Sequence, residues 1–424
     1  MSGDDPLNHS YYRATANAWE TQPVFDGSGG YDVAVIGGGF TGLSAALACA
    51  EKGLKVALFE AKTIGFGASG RNGGQLIPGL RWSMAEIDAE FGRERAQAIF
   101  DLAYGAVDRV KSRIARHGID CDLKSGHLEA AYRPAHFDAM QRDADFLARQ
   151  FGWESQIVQP QDMGRHVGGG GYHGGIYDAA GGHFHPLNYA LGLAKAAKAA
   201  GVEIYENSDF AYWERRYAPI EGAAGRGRFS AKAMILATDT SIGQQDQSLG
   251  GYTIPIMNYN IATAPLANAD QLLPSDAAVA DSRFVLNYFR LSADKRLIFG
   301  GGEKYVQTPP ADIAAFVRRH MAEVFPSLAN TPIDYAWGGA VGVTMNRLPH
   351  IGRKGNVFFA HGFSGHGALI TTLAGELMAE AVTGTMERFD VFAGLPHRPF
   401  PGGKWLARPL ATLGLLWYAL RDRL

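Results

Sequence analysis

Residues Tyr31–Gln75, YDVAVIGGGFTGLSAALACAEKGLKVALFEAKTIGFGASGRNGGQ, constrain the fold more tightly than any other stretch of the chain. They open on Val33–Ile36, an apolar run of the length expected of a buried parallel strand. Gly37-Gly38-Gly39-Phe40-Thr41-Gly42 then fit G-x-G-x-x-G, and Leu43–Lys52 carries apolar residues at helical spacing up to a stop at Gly53. A second strand, Lys55–Phe59, ends in Glu60, about twenty residues past the turn. Strand, glycine turn, helix, strand and acid are the order of a dinucleotide-binding βαβ unit. Gly37 permits the tight turn, Gly39 lets a pyrophosphate approach the backbone, and Gly42 lets helix and strand pack closely. Phe40 and Thr41 stand at the positive end of the helix, where unpaired amides receive the phosphates. Glu60 suits ribose hydroxyls and would repel a 2′-phosphate.

This unit alone does not decide between FAD and NAD. The glycine-rich segment that follows, Gly67-Ala68-Ser69-Gly70-Arg71-Asn72-Gly73-Gly74-Gln75, sets small residues beside Arg, Asn and Gln. Such a loop brings backbone amides and polar side chains against a flat heterocycle, and a nicotinamide enzyme has no need of it here. On VIGGGFTGLSAAL and GASGRNGGQ the chain resembles the FAD-dependent amine and amino-acid oxidoreductases that include D-amino-acid, glycine and sarcosine oxidases. Within them it looks most like the gamma-glutamylputrescine oxidases of bacterial putrescine breakdown. The resemblance implies a Rossmann-type α/β FAD-binding domain with an inserted α+β substrate domain, an antiparallel sheet with helices. It implies flavin contacts from Gly37, Gly39, Phe40, Thr41, Gly42, Glu60 and Ala61, and from the loop residues Gly67, Ala68, Ser69, Arg71, Asn72, Gly73, Gly74 and Gln75.

Later segments agree. Gly181-Gly182-His183-Phe184-His185-Pro186 resembles the family's passage back to the flavin domain and leads into a helix expected over Pro186–Ala200. A metal reading of the two histidines is set aside, because no carboxylate or cysteine cluster accompanies them. Strand Ala233–Leu236 runs into Ala237 and Thr238, where the family passes the dinucleotide; Asp239 departs from its commoner glycine. Strand Val357–Ala360, then Gly362-Phe363-Ser364-Gly365-His366-Gly367 and a helix over Ala368–Thr383, repeat the opening logic and resemble the second flavin motif. A positive helix end there favours the negative charge that reduction places on a flavin.

The chain divides, on this reading, into an N-terminal arm (1–30), an FAD-binding domain (31–84, 157–245 and 341–400), a substrate domain (85–156 and 246–340) and an amphipathic tail (401–424). Helices are expected at Met84–Phe91, Arg95–His117, His136–Arg149 and Asp312–Phe325. Strands are expected at Asp120–Leu123, Gly126–Tyr132, Val202–Tyr205, Thr253–Thr263, Phe284–Leu291 and Arg296–Phe299. Tyr11-Tyr12 suggests that the arm docks. In the tail, Leu410–Leu420 is apolar between Lys404, Arg408, Arg421 and Arg423. Packing on its own body or on a partner is expected there, ahead of a membrane interface. With a net charge of −2, nucleic acid has no electrostatic claim. The two cysteines allow no disulfide framework, and with no basic-then-apolar leader a cytoplasmic setting is expected. No oligomeric state is implied.

The resemblance also sets the chemistry: an amine faces the flavin, a hydride leaves its α-carbon, and water opens the imine. His366 is the first candidate for contact with flavin or substrate. Tyr259, Tyr288 and Trp337 follow, as an aromatic lining for an amine, although aromatic residues here also suit plain sheet core. Glycine and D-amino-acid oxidases clamp a carboxylate with an arginine whose place falls near Val341, and no arginine lies between Trp337 and Asn346. Sarcosine oxidases use an arginine and a lysine where this chain has about Gln75 and Leu369. A buried carboxylate without its cation is unfavourable, so the reacting end is expected to be a plain amine. No cysteine follows Cys121, where sarcosine oxidases attach their flavin, so non-covalent FAD is expected. The lysine those enzymes keep for oxygen is matched by Ile298, which leaves molecular oxygen or another acceptor open.

Overall fold

The computed structural model describes residues 9–214, 217–304 and 308–401; the expected amphipathic segment Leu410–Leu420 lies outside them. Two sheets organise the chain. The first is built around Ser28–Ile36, which pairs in parallel with Val56–Phe59 on one side and Gly227–Leu236 on the other. Glu203–Tyr205 and Val357–His361 extend it in parallel on either flank. Val33–Ile36, Val56–Phe59 and Val357–His361 are buried throughout, as a sheet covered on both faces requires. Helix Phe40–Glu51 leaves the carboxyl end of the first strand at the point where the strand order reverses, the place where such sheets bind ligands. Helix Gly367–Val382 crosses it closely enough that a Cβ on Gly375 would lie 2.6 Å from the Ala45 amide.

The second, nine-stranded sheet runs Ile333–Thr344, Thr253–Thr263, Leu297–Lys304, Tyr288–Leu291, Ala278–Asp281, Lys124–Ala130, Gly175–His183 and Gln75–Leu76, with Gln156–Val158 beside Gly175–His183. It is antiparallel except where Ala278–Asp281 pairs in parallel with Lys124–Ala130. Its membership moves the expected boundaries: Gln75–Leu76 and Gly175–His183, placed by sequence with the FAD-binding domain, belong to this sheet. One face packs on helix Ile313–Val324 through Leu128, Val279, Phe289, Leu291, Phe299, Met257, Tyr259 and Ile261. The alternate residues of the same strands face the other way, toward the first sheet.

Met84–Phe91 is present with the expected ends, and Arg93–His117, Pro134–Phe151 and Pro186–Ala199 have ends moved by one or two residues. Asp120–Leu123 is not a strand. Asp122 has a φ of 51°, and the carbonyls of Asp120 and Cys121 accept from Asn17 and His185 instead of a ladder partner. Residues 284–287 are likewise a turn, because the Asp281 carboxylate takes the Asn287 amide at 3.0 Å. The arm docks: Tyr11 and Tyr12 form a short helix and are both buried. Among the described residues no helix is long and apolar enough to cross a membrane.

Candidate active site

The glycine turn is built as the motif requires. Gly37 has a φ of 111°, and a Cβ there would meet the Ala237 carbonyl oxygen at 2.6 Å. On Gly42 it would fall 1.9 Å from the Gly37 carbonyl oxygen, and on Gly39 2.8 Å from Ser69 Oγ. Phe40 donates its amide to Ser69 Oγ at 2.9 Å, which ties the helix N-terminus to the second glycine loop, while its ring is buried against Tyr189. Glu60 accepts from the Gly38 and Lys62 amides at 2.6 and 2.9 Å, and burial raises its carboxyl above the usual range. Ala61 follows it in the turn beyond the strand.

Residues 67–75 form a self-braced loop. Gly67 precedes a short 3-10 turn, Ala68–Gly70. Asn72 donates Nδ2 to the Ala68 and Ser69 carbonyls, each at 3.0 Å, and accepts from the Gly74 amide at 2.7 Å. Its polar atoms therefore shape the loop. Arg71 donates to the Phe66 carbonyl at 2.7 Å and the Gly338 carbonyl at 3.3 Å. A Cβ on Gly73 would run into the Tyr288 ring at 2.5 Å. Gln75 is buried and donates Nε2 to the Val279 carbonyl at 2.9 Å, so its amide serves the second sheet.

The two turns after the first sheet meet through Asp239. Asp239 is half-buried; its carboxylate accepts the Gly362 amide at 2.8 Å and would lie 2.5 Å from a Cβ on Gly342. The departure from glycine thus joins the turn at Ala237 and Thr238, the end of strand Ile333–Thr344 and the turn at Gly362. Thr238 Oγ1 donates to Gln245 at 2.9 Å. Gly362 and Gly365 adopt φ of 71° and 90°, Ser364 donates its amide to the Gly342 carbonyl at 2.9 Å, and Phe363, between Gly362 and Ser364, is buried in the core. His366 caps the helix that begins at Gly367, and its Nδ1 is buried without a partner. Burial, with the positive charge of Arg81, pushes its imidazole down to about 3, so it is neutral at pH 7.

Of the four side chains expected at the reacting centre, His366 and Tyr288 reach the space between the sheets. Tyr288 donates to Asn258 Oδ1 and lies over Gly73 and Gly300. Trp337 is fully buried and donates Nε1 to the Arg71 carbonyl at 2.9 Å, which makes it a support of the loop. Tyr259 is on the other face of the sheet, fully buried with its ring 5.7 Å from Phe316. A side chain there cannot touch a molecule between the two sheets. The histidines of H-F-H have structural partners: His183 faces the Asp276 carbonyl at 2.8 Å, and His185 caps its helix by accepting from Asn188 at 3.1 Å.

Charged residues that carry no sequence motif complete the cleft. Register places Glu129 opposite Ala280, Ala280 opposite Tyr288, Tyr288 opposite Gly300, and Glu303 opposite Asn258, all on the face toward the first sheet. Arg81 is within electrostatic reach of Glu129, Glu303, Glu86 and Arg347. Glu129 is exposed within the open cleft, and loss of hydration against the protein around it raises its carboxyl, against the pull of Arg81. His127, two residues earlier on the same face, is buried, has no partner for Nε2, and is pushed down to about 4 by burial.

Residues 32–381 match the family described as FAD dependent oxidoreductase. The chain belongs to that family. FAD fits what the structure offers: a tight glycine turn in which a Cβ at Gly37, Gly39 or Gly42 would clash with neighbouring protein atoms, two helix N-termini, and the unpartnered His366 nitrogen. The chain is 37% identical over 98% of its length to the gamma-glutamylputrescine oxidoreductase of Escherichia coli K12, and covers 98% of that protein. Among solved structures, L-proline dehydrogenase from P. horikoshii superposes with a TM-score of 0.72 at 20% identity, over 88% of this chain and 99% of that one. Glycine oxidase from Geobacillus kaustophilus does so at 0.71 and 22% identity, over 84% and 95%. At such identities the likeness is one of fold.

Proposed function

We propose that this flavoprotein oxidises an amine that carries further charged groups, gamma-glutamylputrescine first among them, to an imine that water opens to aldehyde and ammonia. The observation that carries this reading is the charge set of the cleft: Glu129 and Glu303 on the face toward the flavin motifs, with Arg81 within electrostatic reach of both and Glu86 and Arg347 around it. Gamma-glutamylputrescine offers one carboxylate and two ammonium groups, and the relative at 37% identity bears its name. The carboxylate clamps of glycine and sarcosine oxidases are filled here by Val341, by the buried Leu369 and by a Gln75 whose amide is engaged.

FAD supplies a two-electron hydride acceptor. Glu129, which opens to the cleft and is made more basic by partial loss of hydration there, takes the proton that the ammonium loses before its C–H bond can break. Glu303 holds the second ammonium and Arg81 the carboxylate. Neutral His366 stands beside the cleft at the start of the helix from Gly367, and Tyr288 closes the cleft over the loop. The electrons pass to oxygen, giving hydrogen peroxide. Ile298, fully buried where sarcosine oxidases keep a lysine, favours a second reading in which another acceptor takes them.

Comparing gamma-glutamylputrescine with N-acetylputrescine, which lacks the amino-acid end, tests the assignment. An ionic hydrogen bond of ~1.5–3 kcal/mol is a factor of roughly ten to over a hundred in kcat/KM. Arg81→Met is expected to lose that factor with gamma-glutamylputrescine and to leave N-acetylputrescine nearly unchanged. Equal losses on both substrates would overturn the role given to Arg81.

A further inference from the structure

One buried cation is left unused by this chemistry. Arg290, on strand Tyr288–Leu291, is 1% exposed. Phe289 and Leu291 enter the core beneath the sheet, so Arg290 shares with Tyr288 the face toward the flavin motifs. Its donors all go to neutral acceptors: Nε to the Gly73 carbonyl at 2.8 Å, Nη1 to the Leu291 carbonyl at 3.2 Å, and Nη2 to Tyr12 Oη at 3.1 Å. Among the described residues no carboxylate forms an ion pair with it; Asp122 lies within its electrostatic reach without contacting it. A fully buried guanidinium with no carboxylate in contact is unfavourable unless something in the working protein supplies further negative charge.

The guanidinium is pressed against the loop. A Cβ on Gly74 would lie 3.0 Å from Nη2 and 3.2 Å from Nε. The N-terminal arm holds it there: Tyr12 is fully buried, its ring edge-on to Trp337 at 5.1 Å and to His185 at 5.0 Å, and Trp337 in turn bonds the Arg71 carbonyl. Arm, arginine and loop form one continuous contact.

We propose that Arg290 is an electrostatic positioning residue, held by Tyr12 against Gly73 and Gly74, that stabilises the negative charge the flavin site acquires on reduction. This rests on the assignment of Arg71–Gly74 to the flavin. A hydride brings two electrons and one proton to a neutral ring, so the site gains one negative charge. Arg290 supplies the matching positive charge, and the reduced site supplies negative charge that no contacting carboxylate gives it.

The test uses purified holoenzyme and two readouts that a merely structural arginine would move together. One is the affinity for sulfite, whose flavin adduct is anionic, with the midpoint potential beside it; the other is thermal unfolding. R290K keeps the charge and breaks the bonding pattern, whereas R290M and R290Q remove the charge, R290Q retaining a donor for Gly73. All three are expected to unfold at lower temperature. Sulfite binding is expected to weaken about tenfold in R290M and R290Q, equivalent to about 30 mV for a two-electron couple, and to stay within about twofold in R290K. Sulfite affinities that follow unfolding temperature irrespective of charge would overturn the proposal, as would an unchanged R290Q. No amine is used, so the outcome is separate from the substrate assignment; a wild type that retains no FAD would overturn the flavin assignment itself.

Discussion

Gly42→Ala sets two opposing effects against each other at the centre of the dinucleotide unit. Gly42 lies in the first turn of helix Phe40–Glu51, where alanine is intrinsically favoured over glycine by ~1 kcal/mol. Propensity alone therefore predicts a stabilised protein. Against it, the added methyl would sit 1.9 Å from the Gly37 carbonyl oxygen and 3.1 Å from its carbon, where ordinary contact begins at 3.4 Å. Neither is the end of a flexible side chain, so helix and turn must separate by about 1.5 Å. The Gly37 amide, which donates to the Phe59 carbonyl at 2.9 Å, is strained by the same movement. Overpacking of this kind costs ~1–3 kcal/mol, and backbone against backbone belongs at the upper end. The expected net loss is ~2 kcal/mol in the apoprotein, with FAD affinity reduced at least tenfold because the helix N-terminus is displaced. Apoprotein unfolding and FAD titration measure the two effects separately. Gly53→Ala is the control: its φ of 81° strains an alanine, yet nothing lies within 4 Å of the new methyl, so stability falls without a change in FAD affinity. A Gly42→Ala protein as stable as wild type, with unchanged FAD affinity, would refute the close-approach argument.

Further outcomes follow from the same geometry. Asp239→Ala orphans the Gly362 amide and is expected to cost ~1–3 kcal/mol and to weaken FAD binding, read by unfolding and FAD titration; Asp239→Asn, which keeps an acceptor, should recover most of the loss. Burial pushes His183, His185, His361 and His366 down to about 3, and His127 and His397 to about 4. The unfolded chain therefore binds protons below pH ~6.5 that the folded chain refuses. Stability is present in full above that pH and is lost as pH falls toward 3, by ~1.4 kcal/mol per pH unit for each net proton, with Glu60, Glu129 and Asp239 opposing. Unfolding temperatures that stay flat from pH 7 to 5 would contradict this. Cys49 and Cys121 are both buried, so acid precipitation should leave all the FAD in the supernatant; flavin in the pellet would show a covalent link.

How much of this was legible in the sequence depended on distance along the chain. The βαβ unit, the second glycine turn and the long helices are written in local spacing, and the structure has them within a few residues. The cleft is written elsewhere: Arg81, Glu129 and Glu303 come from separate segments, sheet register puts the two carboxylates on one face, and Arg81 reaches them from outside the sheet. Alternation held part of that signal. In Lys124–Ala130, His127 and Glu129 alternate with the core residues Leu128 and Ala130. In Thr253–Thr263, Tyr259 falls in step with Met257 and Ile261, the face that packs on the helix, while Asn258 and Asn260 take the other. Parity already argued against Tyr259 as a site residue. Asp239 looked like a flaw in the motif because its partners, Gly342 and Gly362, lie about a hundred residues or more further on.

Anaerobic titration of the purified yellow protein with gamma-glutamylputrescine tests the central claim most directly. Bleaching of the flavin absorbance at about one equivalent of substrate per flavin, with the aldehyde formed, is the predicted result. A flavin that stays oxidised with gamma-glutamylputrescine, yet bleaches with sarcosine or D-amino acids, would contradict the account.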